Sequence, residues 1–147
     1  MIGFYDLVAA RLQDPARCPA LLQVATGMKP EEAVEMLALG PDVTALVTPL
    51  SEEAFPVTGT GFAVTQVEGH LFGVTMALTF PGGFPQFEVA RAQIKAALRG
   101  WLPAGVAEAV EYRGGAQLQY SAGQDGGRWL YLLRFRVTFQ ETYEAQP

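Results

Sequence analysis

One histidine, His70, one cysteine, Cys18, and two serines, Ser51 and Ser121, are all the chain offers for nucleophilic chemistry of the serine or cysteine type. A Ser121, His70 and Asp125 triad can be drawn, but no nucleophile elbow surrounds either serine, and polar turn residues are the simpler reading. His70 ends Glu68-Gly69-His70, a short glycine-containing connection expected at a hairpin tip. A lone cysteine excludes an internal disulfide and any multi-cysteine metal site, and no His-Glu-x-x-His pattern is present. The acids Glu31, Glu32 and Glu35, and the pair Glu52 and Glu53, could serve as metal ligands or as an acid and base. Solvated helix and loop surface accounts for them with less. Lys29 and Lys95 are the only lysines, neither follows a glycine-rich loop, and Gly59-Thr-Gly61 lacks the third glycine of a phosphate loop. These residues lead to the expectation of no enzyme, no cofactor and no metal.

Two groups of charged residues are better suited to contact than to catalysis. Arg91, Lys95 and Arg99 recur at four-residue steps and form a basic ridge on a helix, fit either for solvent or for an acidic surface on another copy, such as one carrying Glu31, Glu32 and Glu35. In the last strand, Leu130 and Leu132 alternate onto one face with Arg128, Arg134 and Arg136, a composition that suits an interface, although a covering helix would equally explain the leucines.

The elements that must carry these groups are legible in hydrophobic periodicity. Phe87, Ala90, Ile94, Ala97, Leu98 and Trp101 make one helical stripe, with Arg99 in the last turn, Gly100 as the stop and Pro103 beyond. An earlier helix is expected over 2–13, apolar nearly all round and ended by Asp14-Pro15, and another over 30–39, opened by Pro30 and closed by Gly40-Pro41. Residues 16–27 fit a short helix or an edge strand equally. A strand over 42–50 ends at Pro49, and a loop over 51–61 follows.

Residues 62–67 and 71–80 then read as a hairpin, its second strand bulky on the face of Phe72, Val74, Met76 and Leu78 and small on the other. The bulky face should receive the helix that follows. After that helix, a helical turn over 106–112 closes at Gly114-Gly115, and a turn over 123–127 leads into the longest strand, 128–140. In that strand Trp129, Tyr131, Leu133, Phe135, Val137 and Phe139 share one face. The fold expected is a single α+β domain over 1–147, with helices packed on one face of a largely antiparallel sheet.

Half of the 147 residues are hydrophobic and 17% charged, enough for an independent core. The net charge of −5 argues against general nucleic-acid binding, and it is uneven: residues 1–70 carry nine acids and three bases, residues 71–147 six acids and seven bases. No basic leader opens the chain, and the uncharged run 71–87 is broken by Pro81, Gly82, Gly83 and Pro85, short of the roughly 20 apolar residues that span a bilayer. Synthesis in the cytoplasm is the expectation.

The helix ending Ala-Leu-Arg-Gly-Trp-Leu-Pro, the double glycine at 114 and 115, the strand Arg-Trp-Leu-Tyr-Leu-Leu-Arg-Phe and the upstream Val-Thr-Gln-Val-Glu-Gly-His-Leu-Phe-Gly-Val at 64–74 together resemble the minor tail proteins of Mu-like phages and prophages. Those are similar to the tail terminators, or tail-completion proteins, of long-tailed phages. The resemblance covers roughly residues 60–140. It implies a structural protein that forms a ring, usually a hexamer, on the last ring of a tail tube, ends its growth and offers a surface to the head connector. The implied partners are further copies, the tube protein, possibly a sheath, and the connector. The implied location is the bacterial host cytoplasm during assembly, then the virion tail. The contact residues expected for that role are Arg91, Lys95, Arg99, Arg128, Leu130, Arg134 and Arg136, with Glu31, Glu32 and Glu35 facing the ridge of a neighbour. Other readings are a domain binding a small apolar ligand between helix and sheet, another phage neck or head-completion component, and an enzyme if His70 meets a carboxylate or hydroxyl in a cleft.

Overall fold

The fold was analysed in a computed structural model that describes residues 3–33, 43–59, 61–79, 84–121 and 128–144. In chain order these form α1 (Phe4–Gln13), β1 (Gln23–Thr26), a 3-10 turn (Pro30–Glu32), β2 (Thr44–Ala54), β3 (Ala63–Thr79), α2 (Phe84–Leu98), β4 (Glu108–Ser121) and β5 (Arg128–Glu144). The strands make one sheet in the order β1-β2-β3-β5-β4. The architecture is α+β, and the sheet is mixed: β1 runs parallel to β2, while every other neighbouring pair is antiparallel. A parallel pair cannot be joined by a tight turn, so residues 27–43 must cross from the end of β1 to the start of β2.

Alternation along β3 and β5 decides which face is buried by helices. Phe72, Val74, Met76 and Leu78 of β3 and Leu133, Phe135 and Val137 of β5 share one cluster with Val8 and Leu12 of α1 and Phe87, Ala90, Ile94, Ala97 and Leu98 of α2. The expected bulky strand face and helical stripe therefore meet. Aromatic rings close the junction: Phe4 stands edge-on to Phe72 at 5.5 Å and Phe72 stacks on Phe135 at 5.7 Å. Gly100 ends α2 at φ +83°, and Trp101 beyond it meets α1, stacked on Phe4 at 6.2 Å with the Arg11 guanidinium 4.7 Å from its ring.

Several expected turns are strand. Residues 62–80 do not fold as a hairpin around Glu68-Gly69-His70; β3 is continuous and pairs with β5 from Ala63 and Glu144 to Thr79 and Arg128. Gly69 is there for closeness, not for turning. A Cβ on it would lie 2.7 Å from Nη2 of Arg136, whose guanidinium crosses the strand at that point. Likewise β2 does not end at Pro49 but continues to Ala54, with its register shifted between Pro49 and Ser51. The pairing with β1 stops at Val47, so the missing N–H of Pro49 falls where β2 has become an edge.

The helical turn expected over 106–112 is the start of β4, and Gly114-Gly115 is a bulge inside it. Gly114 has φ +96°, the register against β5 slips between Tyr112 and Gly115, and a Cβ on Gly115 would come within 2.7 Å of the Tyr131 ring. The ambiguous stretch 16–27 resolves as the edge strand β1. Of the helix expected over 30–39, residues 30–32 form the 3-10 turn and the rest lies mostly outside the described residues, as does the turn over 123–127.

The second face of the sheet is covered differently. Ala33, just past the 3-10 turn, packs with Leu46, Ala77 and Leu130, and farther along the same face come Gly73, Arg134 and Arg136, with Thr48 and Thr75 buried between.

Candidate functional site

The basic ridge rides on the outer side of α2, because the opposite side supplies the buried stripe. Glu88, Arg91, Ala92, Lys95, Ala96 and Arg99 line a shallow groove of about 260 Å³. Within it Arg99 is exposed, while Lys95 turns back so that its Nζ lies 4.5 Å from the centre of the Tyr112 ring. Arg91 is partly buried, and among the described residues its Nε has no hydrogen-bond partner.

The arginines of β5 occupy the other side of the sheet, since Leu133, Phe135 and Val137 alternate with them toward the helices. Arg136 lies flat over Gly69, with its guanidinium 5.7 Å from the ring of Phe55. Together with Arg113, Ser51, Glu53, Gly69 and Leu71 it lines a cavity of about 160 Å³. Arg134 is half-buried, and among the described residues its Nε has no hydrogen-bond partner. Leu130 is only 2% exposed and its neighbours are Ala33, Leu46 and Ala77, so its apolar surface is already covered by this chain and is not presented to a partner. Leu132, at 7%, is likewise buried. The side chain of Arg128 and the whole of Glu35 lie outside the described residues.

The acids expected to oppose the ridge sit on the turn that covers the second face. Glu31 is exposed; Glu32 folds back, its Oε2 accepting a hydrogen bond from the backbone N–H of Met28 at 3.3 Å. Ridge and acids are therefore on opposite sides of the sheet.

Sequence reasoning missed Arg113, which lies just past the helical turn expected over 106–112 and pairs with Glu111 at 3.3 Å on β4. It also missed an apolar end to the long strands. Phe62 is 87% exposed, Val57 51% and Tyr143 45%. All three fall at the end of the sheet where β3 and β5 run on past β2. The expected loop of 51–61 hid this extension.

His70 is not at a tip. It sits within β3, opposite Glu52 on β2 and Val137 on β5, and it does meet carboxylates: Nδ1 is 3.7 Å from Glu52 Oε2 and Nε2 4.0 Å from Glu68 Oε1. A triad with Ser121 is excluded. Ser121 pairs with Arg128, nine residues along β5 from Val137, which at the rise of a strand is roughly 30 Å away. Cys18 is buried, and that burial pushes its thiol up to about 11, so it is not a poised nucleophile. Among the described residues no helix is long and apolar enough to cross a membrane.

No protein-family model matches the chain, and neither does any curated protein sequence.

Proposed function

We propose that the chain is a structural subunit of a phage or prophage tail that assembles as a ring on the end of the tail tube, stops tube growth and presents the surface to which the head joins. The observation that carries this reading is the placement of charge: the α2 ridge and the Glu31 turn lie on opposite sides of one sheet. A head-to-tail interface needs two different patches on one protomer, so that the ridge of each copy meets the acidic side of the next and a rotation closes the ring. The resemblance over residues 60–140 names the assembly; the opposed patches supply a way to build it. The exposed Phe62, Val57 and Tyr143 add an apolar surface of the kind that marks contact sites. The tube protein, a sheath and the head connector are the proposed further partners, and the tail the proposed location. No step in such a role requires a nucleophile.

Binding of a small apolar ligand between helix and sheet is less well supported. Of Phe72, Met76, Trp101 and Phe135, which would line such a site, Trp101 is partly buried and the other three have no accessible surface, all of them packed in one continuous cluster.

Native mass spectrometry of the purified chain, alone and mixed with tail tube protein, tests the proposal. A closed oligomer is expected, and a strict monomer under both conditions would overturn it. Arg99→Glu should shift the population toward monomer, and adding Glu31→Arg should restore the ring, since the reversed pair attracts again.

A further inference from the structure

Glu68 and His70 stand two residues apart on β3, so both leave the same face of the strand, and Glu52 on β2 is the register partner of His70. An i, i+2 pair on one strand with a third residue directly across on its neighbour places three side chains side by side on paired backbone that cannot easily move. One imidazole nitrogen and one oxygen from each carboxylate lie within 4.8 Å of one another. The separations of 3.7 and 4.0 Å from the ring nitrogens are longer than hydrogen bonds, so the three groups converge without satisfying each other. Among the described residues neither carboxylate forms a hydrogen bond, nor an ion pair with a lysine or arginine.

The surroundings fix the ring and leave a way in. Phe139 of β5 stands edge-on to His70 at 5.0 Å, and the side chains of His70 and Glu68 are 23% and 26% exposed, whereas that of Glu52 is 66% exposed. The two less exposed donors thus come from the central strand, and the most exposed one from β2. Tyr5 of α1 feels the same charge: its phenol is pushed up by burial and then by Glu52, so it stays neutral beside the cluster.

We propose that Glu52, Glu68 and His70 bind one divalent transition-metal ion of the zinc type, with water completing its shell. A mixed set of one imidazole nitrogen and carboxylate oxygens suits Zn²⁺ and its neighbours better than Ca²⁺ or Mg²⁺, which take oxygen ligands throughout. Bonds of about 2.0 to 2.2 Å require the donors to draw closer than they stand now. Glu52 lies nearer Nδ1 and Glu68 nearer Nε2, so the ion takes one ring nitrogen and side-chain torsions of both glutamates bring their oxygens to it. The site lies on the helix-bearing face, apart from the arginine-lined cavity on the reverse, and does not depend on the assembly reading.

The full chain, stripped with chelator, would be titrated with Zn²⁺ by calorimetry and with Co²⁺ by visible absorption. The expected result is saturable binding at one ion per chain, a cobalt spectrum showing nitrogen ligation, and a rise in unfolding temperature with added ion. Glu52→Gln, at an exposed position that leaves the fold intact, and His70→Gln should each weaken binding at least about tenfold. Glu53→Gln, one residue away but facing the reverse of the sheet, should leave it unchanged. Absence of saturable binding, binding that survives Glu52→Gln and His70→Gln, or equal loss in Glu53→Gln would overturn the assignment.

Discussion

The two faces of β5 are built to different rules. Toward the helices it sets Leu133, Phe135 and Val137, none more than 1% exposed, among aromatic rings from α1, β3 and β4. On the reverse it sets Leu130 under Ala33 and then Arg134 and Arg136, with the threonines of β2 and β3 beside them. Around Leu133, Phe135 and Val137 the first face is a packed apolar interior. The other is closed by a short turn at one end, is lined by arginine at the other, and keeps polar atoms in places where water cannot reach. A strand fixed so firmly by its first face can carry polar chemistry on its second, because the register is no longer in question.

The largest effect should come from breaking the packed face. Phe135→Ala removes a ring that stacks on Phe72 at 5.7 Å and leans on Tyr112 at 5.4 Å, and should cost about 3 to 5 kcal/mol in urea unfolding. Arg134→Ala, one residue away on the reverse, should change stability by less than about 1 kcal/mol. Equal losses at the two positions would mean that the reverse face is as much core as the first.

The dryness of the helix-bearing side can be read from Cys18, which belongs to its cluster. Burial raises the thiol in the folded chain from 9.0 to about 11, so folding favours the protonated form. Below pH 9 the thiol is protonated in both states and its contribution is fully present. Between pH 9 and pH 11 the unfolded chain loses this proton first, and stability falls as pH rises. Comparison with Cys18→Ala isolates the contribution: the wild type should lose on the order of 2 kcal/mol relative to the variant across that interval. Parallel pH profiles would show that water reaches the sulfur.

This contrast was half visible in the sequence. The stripe of α2 and the alternation of 128–140 announce the packed face, because burial of large apolar groups imposes a period that survives in any context. The glycines were misread for a physical reason. A glycine in sequence says only that a Cβ is absent, and the same absence serves a turn, a bulge, or the passage of another side chain. Gly69 gives passage to Arg136 and Gly115 to Tyr131, and neither demand is local. Reading Gly69 as a turn also moved His70 to a tip and hid its partners: Glu68 was only two residues away, but Glu52 becomes a neighbour only through the pairing of β2 with β3. The arginine ridge was visible as a spacing. That Leu130 is covered by Ala33 was not, because the sheet order that brings the 3-10 turn over Leu130 is not a local property of the sequence.

The reverse face makes the opposite kind of prediction, smaller and of opposite sign. Thr48 and Thr75 have no accessible surface, and among the described residues their hydroxyls have no hydrogen-bond partner. Each hydroxyl gave up its water on folding and received nothing in return, a loss that mutational data put at about 1 to 3 kcal/mol for a buried polar group. Valine has the same branched shape and the same preference for strand, and replaces the hydroxyl by a methyl that needs no partner. Thr75→Val should therefore stabilise the chain by about 1 kcal/mol, read as a higher urea midpoint at an unchanged slope. On an ordinary half-wet sheet face the same change would be close to neutral. A loss of stability would mean that the Thr75 hydroxyl is held by a partner, and the reverse face would then be a satisfied polar layer that differs from the first in composition alone.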